Sequence, residues 1–181
     1  VVADLPFGSY EASPELALAT SVRFFKESGV MAVKLEGAHI ETVKKLVTSG
    51  IPVMGHLGLT PQSMHQLGGY RVQGRTDGDV IVEAAKALQA AGAFAIVLEL
   101  VPAELAARIT AELTIPTIGI GAGVNCDAQV LVWTDLMGIT KKAPKLAKAY
   151  RNLRAEMLSA TAEFAADVRS GQFPTEAQTF N

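Results

Sequence analysis

The sequence VIVEAAKALQAAGAFAIVLELV, residues 80–101, joins a helical pattern to a strand pattern. The apolar residues of 80–91 fit an amphipathic helix, whereas 93–101 is an apolar run interrupted only by Glu99. Short runs of this kind are typical of strands that are buried on both faces, as in a parallel sheet. We therefore predict one helix-strand repeat of a parallel sheet in this stretch.

The same alternation continues in both directions along the chain. Strands are predicted at 1–4, 31–36, 51–56, 93–101, 116–121 and 129–133. Helices are predicted at 40–49, 80–91 and 103–113. A further helix is predicted to begin at Ser13, which can cap free N–H groups, and to end at Gly29. This regular order predicts an α/β protein with a parallel sheet.

The pattern changes after residue 133. A lysine-rich linker beginning at Lys141 leads into a long helical region that runs to about Ser170, and a mixed polar tail follows. We predict a single domain over 1–181, in which 141–181 forms a C-terminal helical region and tail.

Composition excludes several classes of partner. The 181 residues carry 16 Lys and Arg against 18 Asp and Glu, so a net charge of −2 predicts no nucleic-acid partner. No apolar run is long enough for a membrane span. The single Cys126 cannot form an internal disulfide, which is typical of a reducing compartment, and we expect a cytoplasmic protein.

Two parallel architectures compete. A doubly wound sheet can use six strands, whereas a (β/α)₈ TIM barrel needs eight and about 250 residues. However, no Gly-x-Gly-x-x-Gly turn follows the first strand, and polar residues recur at the ends of several strands, as barrel active sites require. The chain also starts inside an apolar pattern without Met. We predict a TIM barrel whose first two βα units are absent from this chain.

Charged residues close two of the predicted strands. Lys34 and Glu36 share one strand face, where charges are costly unless they pair with each other or bind a ligand. Asp4 ends the first strand and could order a loop or bind a hard cation. Because Mg²⁺ takes few carboxylates and completes its shell with water and substrate oxygens, Asp4 and Glu36 together are a candidate magnesium site.

Two further residues could carry chemistry. Glu99 follows Val97 and Ala95 on one strand face, and burial among such neighbours increases the proton affinity that a general base needs. The alternative is a Glu exposed to water at the rim of the sheet. His56 precedes a long stretch without helical or strand period, which is typical of a functional loop. It could donate to a substrate oxygen or be a satisfied polar residue at a strand end.

Several motifs resemble the ketopantoate hydroxymethyltransferase family. They are VADLPF (2–7), VKLEG (33–37), GHLGLTPQS (55–63), GYRVQGR (69–75), VLE (97–99), IGIGAG (118–123) and FP (173–174). The resemblance implies transfer of a hydroxymethyl group from 5,10-methylenetetrahydrofolate, the co-substrate, to 3-methyl-2-oxobutanoate, giving 2-dehydropantoate in pantothenate biosynthesis. It also implies Mg²⁺ dependence and a homo-oligomer, commonly a decamer.

The resemblance also implies a role for each candidate residue. Asp4 matches a metal ligand that contacts the substrate, and Glu36 matches a second metal ligand. Lys34 matches a substrate-binding residue, His56 falls in the same pocket, and Glu99 matches the catalytic proton acceptor. Two alternatives stay open: another Mg²⁺-dependent enolate enzyme of the phosphoenolpyruvate mutase and isocitrate lyase type, and a non-catalytic or inactive fragment of such a barrel.

Overall fold

A computed structural model describes residues 1–180 and divides the chain into two compact units, Val1–Val130 and a second unit that begins at Leu131. The first unit contains six strands in one sheet. They are β1 (Val2–Asp4), β2 (Ala32–Lys34), β3 (Val53–Gly58), β4 (Ala95–Glu99), β5 (Thr117–Ile120) and β6 (Ala128–Gln129). Its helices are α1 (Pro14–Ser28), α2 (Ile40–Thr48), α3 (Gly78–Ala90) and α4 (Ala103–Glu112).

The strands are all parallel, and their order in the sheet is their order in the chain. A doubly wound sheet reverses its strand order at a switch point, whereas a barrel does not. One helix connects each successive pair from β1 to β5. The first unit is therefore a parallel half-barrel of six strands. This confirms the prediction of an α/β protein with a parallel sheet.

Helix α1 shows how local sequence sets the ends of these elements. The Ser13 hydroxyl accepts a hydrogen bond of 3.1 Å from the Leu16 N–H, and Pro14 occupies the first helical position. Gly29 ends the helix with φ of 69°, a left-handed conformation that glycine adopts without steric cost. The bounds predicted from these residues are confirmed.

The two faces of the strands have different environments. Leu35, Leu57 and Leu98 are buried in the hydrophobic core that also contains Val43 of α2 and Leu88 of α3. Because side chains alternate along a strand, their immediate neighbours in sequence face the opposite way, into the concave side of the half-barrel. Each fully buried Leu stabilises the fold by about 1.5–3 kcal/mol relative to an exposed one. The helix side of the sheet thus supplies the stability.

The last predicted strand is largely wrong. Only Ala128–Gln129 pairs with β5, and a short helix α5 (Trp133–Leu136) occupies the end of the predicted 129–133 range. The Val132 carbonyl accepts N–H groups from Asp135 and Leu136, so a helical turn forms where the apolar run predicted an extended chain. Periodicity cannot separate these states in so short a run.

The second unit contains α5 and a long helix α6 (Leu153–Ser170). The Asn152 side chain caps the α6 N-terminus, and Gly171 ends it with φ of 73°. The predicted C-terminal region begins at 141, whereas α6 begins at Leu153. The boundary between the two compact units lies earlier, after Val130. Within residues 1–180, no helix combines the length and apolar character that crossing a membrane requires.

Gly58 allows β3 and β4 to approach each other at the concave end of the sheet. Its φ is +90°, and an added Cβ would overlap the Glu99 carbonyl and lie 2.7 Å from Val101 Cγ1. Gly8 has a similar φ of +85° with nothing within 4 Å of an added Cβ.

We expect Gly8→Ala to lower the free energy of unfolding by about 1 kcal/mol, from backbone strain alone. Gly58→Ala should lower the free energy of unfolding by at least about 2 kcal/mol more, because overlap is added. Denaturant unfolding of both variants tests this, and equal losses would contradict it.

Candidate active site

Five candidate side chains meet at the C-terminal ends of β1 to β4. Asp4 and Lys34 are the last residues of β1 and β2, Glu36 follows β2, His56 lies in β3, and Glu99 ends β4. The strand register pairs Asp4 with Lys34, so adjacent strands carry them side by side. The structure therefore brings together all the residues that the sequence analysis selected.

Lys34 is the cation of the site. Its ammonium group forms an ion pair with Asp4 Oδ1 and lies 3.2 Å from His56 Nδ1. The Lys34 side chain is 15% exposed, against 60% for Asp4. Among residues 1–180, Lys34 forms no ion pair with Glu36, so the alternative in which these two residues pair with each other is wrong. Asp4 and His56 therefore engage two of the three donors of the Lys34 ammonium group, which leaves one donor for a further acceptor.

The position of Lys34 determines the tautomer of His56. An ammonium group can only donate, so Nδ1 must accept and the ring proton lies on Nε2. Nε2 lies 3.3 Å from Glu99 Oε2, but the angles are not those of a hydrogen bond, and this buried nitrogen has no hydrogen-bond partner among the described residues. Buried polar groups are nearly always satisfied. His56 is thus satisfied at Nδ1 but not at Nε2, and the Nε2 N–H is available to donate to a further acceptor.

Glu36 is buried and held by one oxygen. Its side chain is 6% exposed, and Oε2 accepts the Gln62 backbone N–H at 2.9 Å. The other oxygen, Oε1, lies 3.8 Å from His56 Nδ1. Oε2 is therefore hydrogen-bonded within the protein, while Oε1 faces the rest of the site.

Glu99 is also withdrawn from water. Its side chain is 13% exposed, which contradicts the alternative of a solvated residue at the rim. Its carbonyl accepts the Leu59 N–H at 2.8 Å. The next residue, Leu100, has φ of +46° and donates its N–H to the Ile120 carbonyl at 2.9 Å. The backbone around Glu99 is held from both neighbouring strands, in a conformation that costs about 1–3 kcal/mol.

Tyr10 and Gln62 belong to the site and were not predicted. The Tyr10 hydroxyl donates to Gln62 Oε1 at 2.7 Å, and Gln62 Nε2 donates to the Leu5 carbonyl at 2.9 Å. Gln62 falls in one of the quoted motifs, which was the only signal available. Nothing in the sequence joins Tyr10 to it, because 52 positions separate the two.

Two carboxylates of the site could contribute to a metal site. Asp4 and Glu36 are hard oxygen donors of the kind that Mg²⁺ uses one or two at a time. No group of three or more His, Cys, Asp or Glu side chains in residues 1–180 is arranged to hold a metal. An ion held by Asp4 and Glu36 would have to take its remaining ligands from water and substrate.

These features define a class of protein: a parallel half-barrel with carboxylates, an imidazole and an ammonium group at its strand ends. A crystal structure of the Amycolatopsis orientalis BexX/CysO complex has a similar fold, with a TM-score of 0.52 at 14% identity, covering 96% of this chain and 70% of that one. The sequence profile described as ketopantoate hydroxymethyltransferase matches residues 1–176. The chain belongs to the ketopantoate hydroxymethyltransferase family.

Curated relatives agree with this assignment. A 3-methyl-2-oxobutanoate hydroxymethyltransferase from Acidothermus cellulolyticus is 60% identical over 99% of this chain and 68% of its own length. One from Saccharopolyspora erythraea is 59% identical over 99% of this chain and 63% of its own length. The chain thus spans about two thirds of these relatives. The family match favours this enzyme over the phosphoenolpyruvate mutase and isocitrate lyase type.

Burial of Tyr10 should be visible in a titration. Desolvation raises the pKa of its hydroxyl from 10.0 to about 12, against the opposing hydrogen bond from the Glu36 N–H, and nearby carboxylates add to the rise. A raised pKa stabilises the fold below pH 10, and this contribution is lost as pH rises to 12. We expect the absorbance difference between wild type and Tyr10→Phe to show a phenolate step near pH 12. Over the same range, wild type should lose about 2–3 kcal/mol of unfolding free energy relative to the variant. A step near pH 10 would contradict the burial.

Proposed function

We propose that this protein transfers a hydroxymethyl group from 5,10-methylenetetrahydrofolate to 3-methyl-2-oxobutanoate, giving 2-dehydropantoate in pantothenate biosynthesis. The names of its relatives support the reaction. The observation that carries it is the carboxylate of Glu99, which is only 13% exposed and is separated from the Lys34 cation by one imidazole ring, with contacts of 3.3 and 3.2 Å. A base and a cation at this spacing suit a small keto acid that loses a proton.

The chain's own residues divide the chemistry. Lys34 binds the carboxylate of the keto acid, and the His56 Nε2 proton is directed at the keto oxygen. Glu99 accepts the C3 proton, and C3 forms a bond to the one-carbon unit. Both carbon–nitrogen bonds that hold this unit to folate break, water supplies its hydroxyl, and the C3 proton and the remaining proton of water go to the two folate nitrogens. Withdrawal of His56 and Glu99 from solvent strengthens these electrostatic effects.

Asp4 and Glu36 would hold the magnesium ion. When bound, Mg²⁺ supplies positive charge that stabilises the enolate oxygen. Support comes from the donor chemistry of two carboxylates at the ends of adjacent strands and from Glu36 Oε1, which accepts no backbone N–H from the residues that the structure describes. Asp4 would exchange part of its contact with Lys34 for the ion, which its exposure allows.

We also infer a closed barrel. Six parallel strands in chain order leave β1 and β6 as edges, and unpaired edges invite unwanted association. Two further βα units between these edges would complete the eight-stranded TIM barrel. The homo-oligomer, the decamer and the cytoplasmic location stay predictions, and the net charge of −2 supports small-molecule partners over nucleic acid.

Exchange of the C3 proton of 3-methyl-2-oxobutanoate tests the role of Glu99. We expect the protein with Mg²⁺ in D₂O to exchange this proton without folate, as followed by NMR. Glu99→Gln should slow exchange by at least about 100-fold, because the base is lost. The exposed Glu104 on α4 supplies the control, and Glu104→Gln should exchange at the wild-type rate. The mechanism would be refuted if wild type did not exchange the C3 proton, or if Glu99→Gln exchanged it at the wild-type rate.

Binding of the keto acid tests Lys34. Loss of one charge-assisted contact costs about 1.5–3 kcal/mol, so Lys34→Gln should raise KM for the keto acid roughly 10-fold to 100-fold. Its effect on kcat should be smaller, because the contact exists before and after proton transfer. Lys44→Gln, which removes an exposed lysine of α2, is the matched control. Steady-state kinetics decide the point, and an unchanged KM in Lys34→Gln would contradict the assignment.

A further inference from the structure

We propose that Tyr10 and Gln62 form a positioning pair that orients the Glu36 carboxylate for its divalent ion. The inference rests on the proposed function, because it concerns the same site. Neither residue touches the reacting atoms in the proposed mechanism. Their hydrogen bonds reach the backbone N–H and the carboxylate of Glu36.

Three polar groups of Gln62 each reach a different part of the site. Its backbone N–H donates to Glu36 Oε2 at 2.9 Å, and its side-chain Nε2 donates to the Leu5 carbonyl at 2.9 Å. Its Oε1 accepts the Tyr10 hydroxyl at 2.7 Å. Gln62, in the loop after β3, is therefore hydrogen-bonded to the loops that follow β1 and β2.

Tyr10 closes the network from the other side. Its hydroxyl donates to Gln62 and accepts the Glu36 backbone N–H at 3.3 Å. The residue is 2% exposed, and its ring packs against His39 at right angles, with 5.5 Å between ring centroids. The phenol therefore cannot turn away from Glu36 without leaving the core.

The consequence is a carboxylate with one oxygen fixed and one presented. Glu36 Oε2 is held by the Gln62 N–H, while Oε1 points towards His56 at 3.8 Å. Within the described part of the chain, residues 1–180, no backbone N–H holds the Asp4 carboxylate in this way; its side chain is 60% exposed and pairs with Lys34. Residues that orient a metal ligand typically contribute a 10-fold to 100-fold factor in metal affinity or activity. Glu36 is therefore the ligand whose geometry the protein sets in advance.

A merely structural role for the pair predicts a different outcome from a positioning role. If the hydrogen bonds only join loops, their removal lowers the melting temperature and leaves ion affinity unchanged. If they orient Glu36, their removal weakens ion binding, and excess Mg²⁺ restores the exchange rate.

The experiment measures Mn²⁺ binding by electron paramagnetic resonance, with Mg²⁺ as competitor, in wild type, Tyr10→Phe, Gln62→Leu and Tyr150→Phe. Tyr150 is 56% exposed and is the matched control for loss of a tyrosine hydroxyl. We expect roughly 10-fold weaker binding in Tyr10→Phe and Gln62→Leu, and no change in Tyr150→Phe. At saturating Mg²⁺, C3 proton exchange by Tyr10→Phe should return to within about two-fold of wild type, since Glu99 is untouched.

Failure of the inference and of the proposed function look different. Wild-type ion affinity in both Tyr10→Phe and Gln62→Leu, with normal exchange by wild type, overturns the positioning role alone. Should Tyr10→Phe not fold, Gln62→Leu decides by itself. If wild type neither binds Mn²⁺ nor exchanges the C3 proton, the proposed function fails and the inference fails with it.

Discussion

Side chains on a strand point alternately to two faces, and both the stability and the chemistry of this chain depend on that constraint. Leu35 packs into the helix-facing core, while its neighbours Lys34 and Glu36 point into the concave side. The same holds for Leu98 beside Glu99 in β4. A shift of one residue in the register would place these charges against the helices, where burial without partners is costly. The apolar face thus enforces the position of the polar one.

The charges on the concave face are compensated by a chain of contacts rather than by isolated pairs. Lys34 lies between Asp4 and His56, and His56 lies between Lys34 and Glu99. Taking such groups out of water is expensive, and only good geometry offsets the loss. The contact between His56 Nε2 and Glu99 lacks hydrogen-bond geometry, so the compensation is incomplete at that point. An unsatisfied buried donor beside a buried base is what a ligand-binding site requires before its ligand arrives.

The loops that follow the strands are hydrogen-bonded to one another. The Gln62 side chain spans from the first βα loop to the third, and Gly58 lets the backbones of β3 and β4 come close. Sites of this kind work by holding groups in place before the reaction, which lowers the cost of reorganisation. Rigidity at the strand ends and a stable helix side therefore serve the same site.

The sequence by itself determined much of this protein. The alternation of runs predicted five of the six strands and the helices of the first unit, because burial periodicity is a local property. Ser13 and Gly29 predicted both ends of α1 for the same reason. Strand ends also indicated Asp4 and Glu99, since parallel strands bring their C-terminal ends to one edge.

Only the tertiary structure decided the partners. Lys34 pairs with Asp4 across strands rather than with Glu36 on its own strand, because parallel register places Asp4 beside it. Tyr10 reaches Gln62 from 52 positions away, a contact that no local pattern encodes. Hydrogen bonds between loops depend on which loops the folded sheet brings close in space. Burial periodicity, in contrast, is a property of consecutive residues.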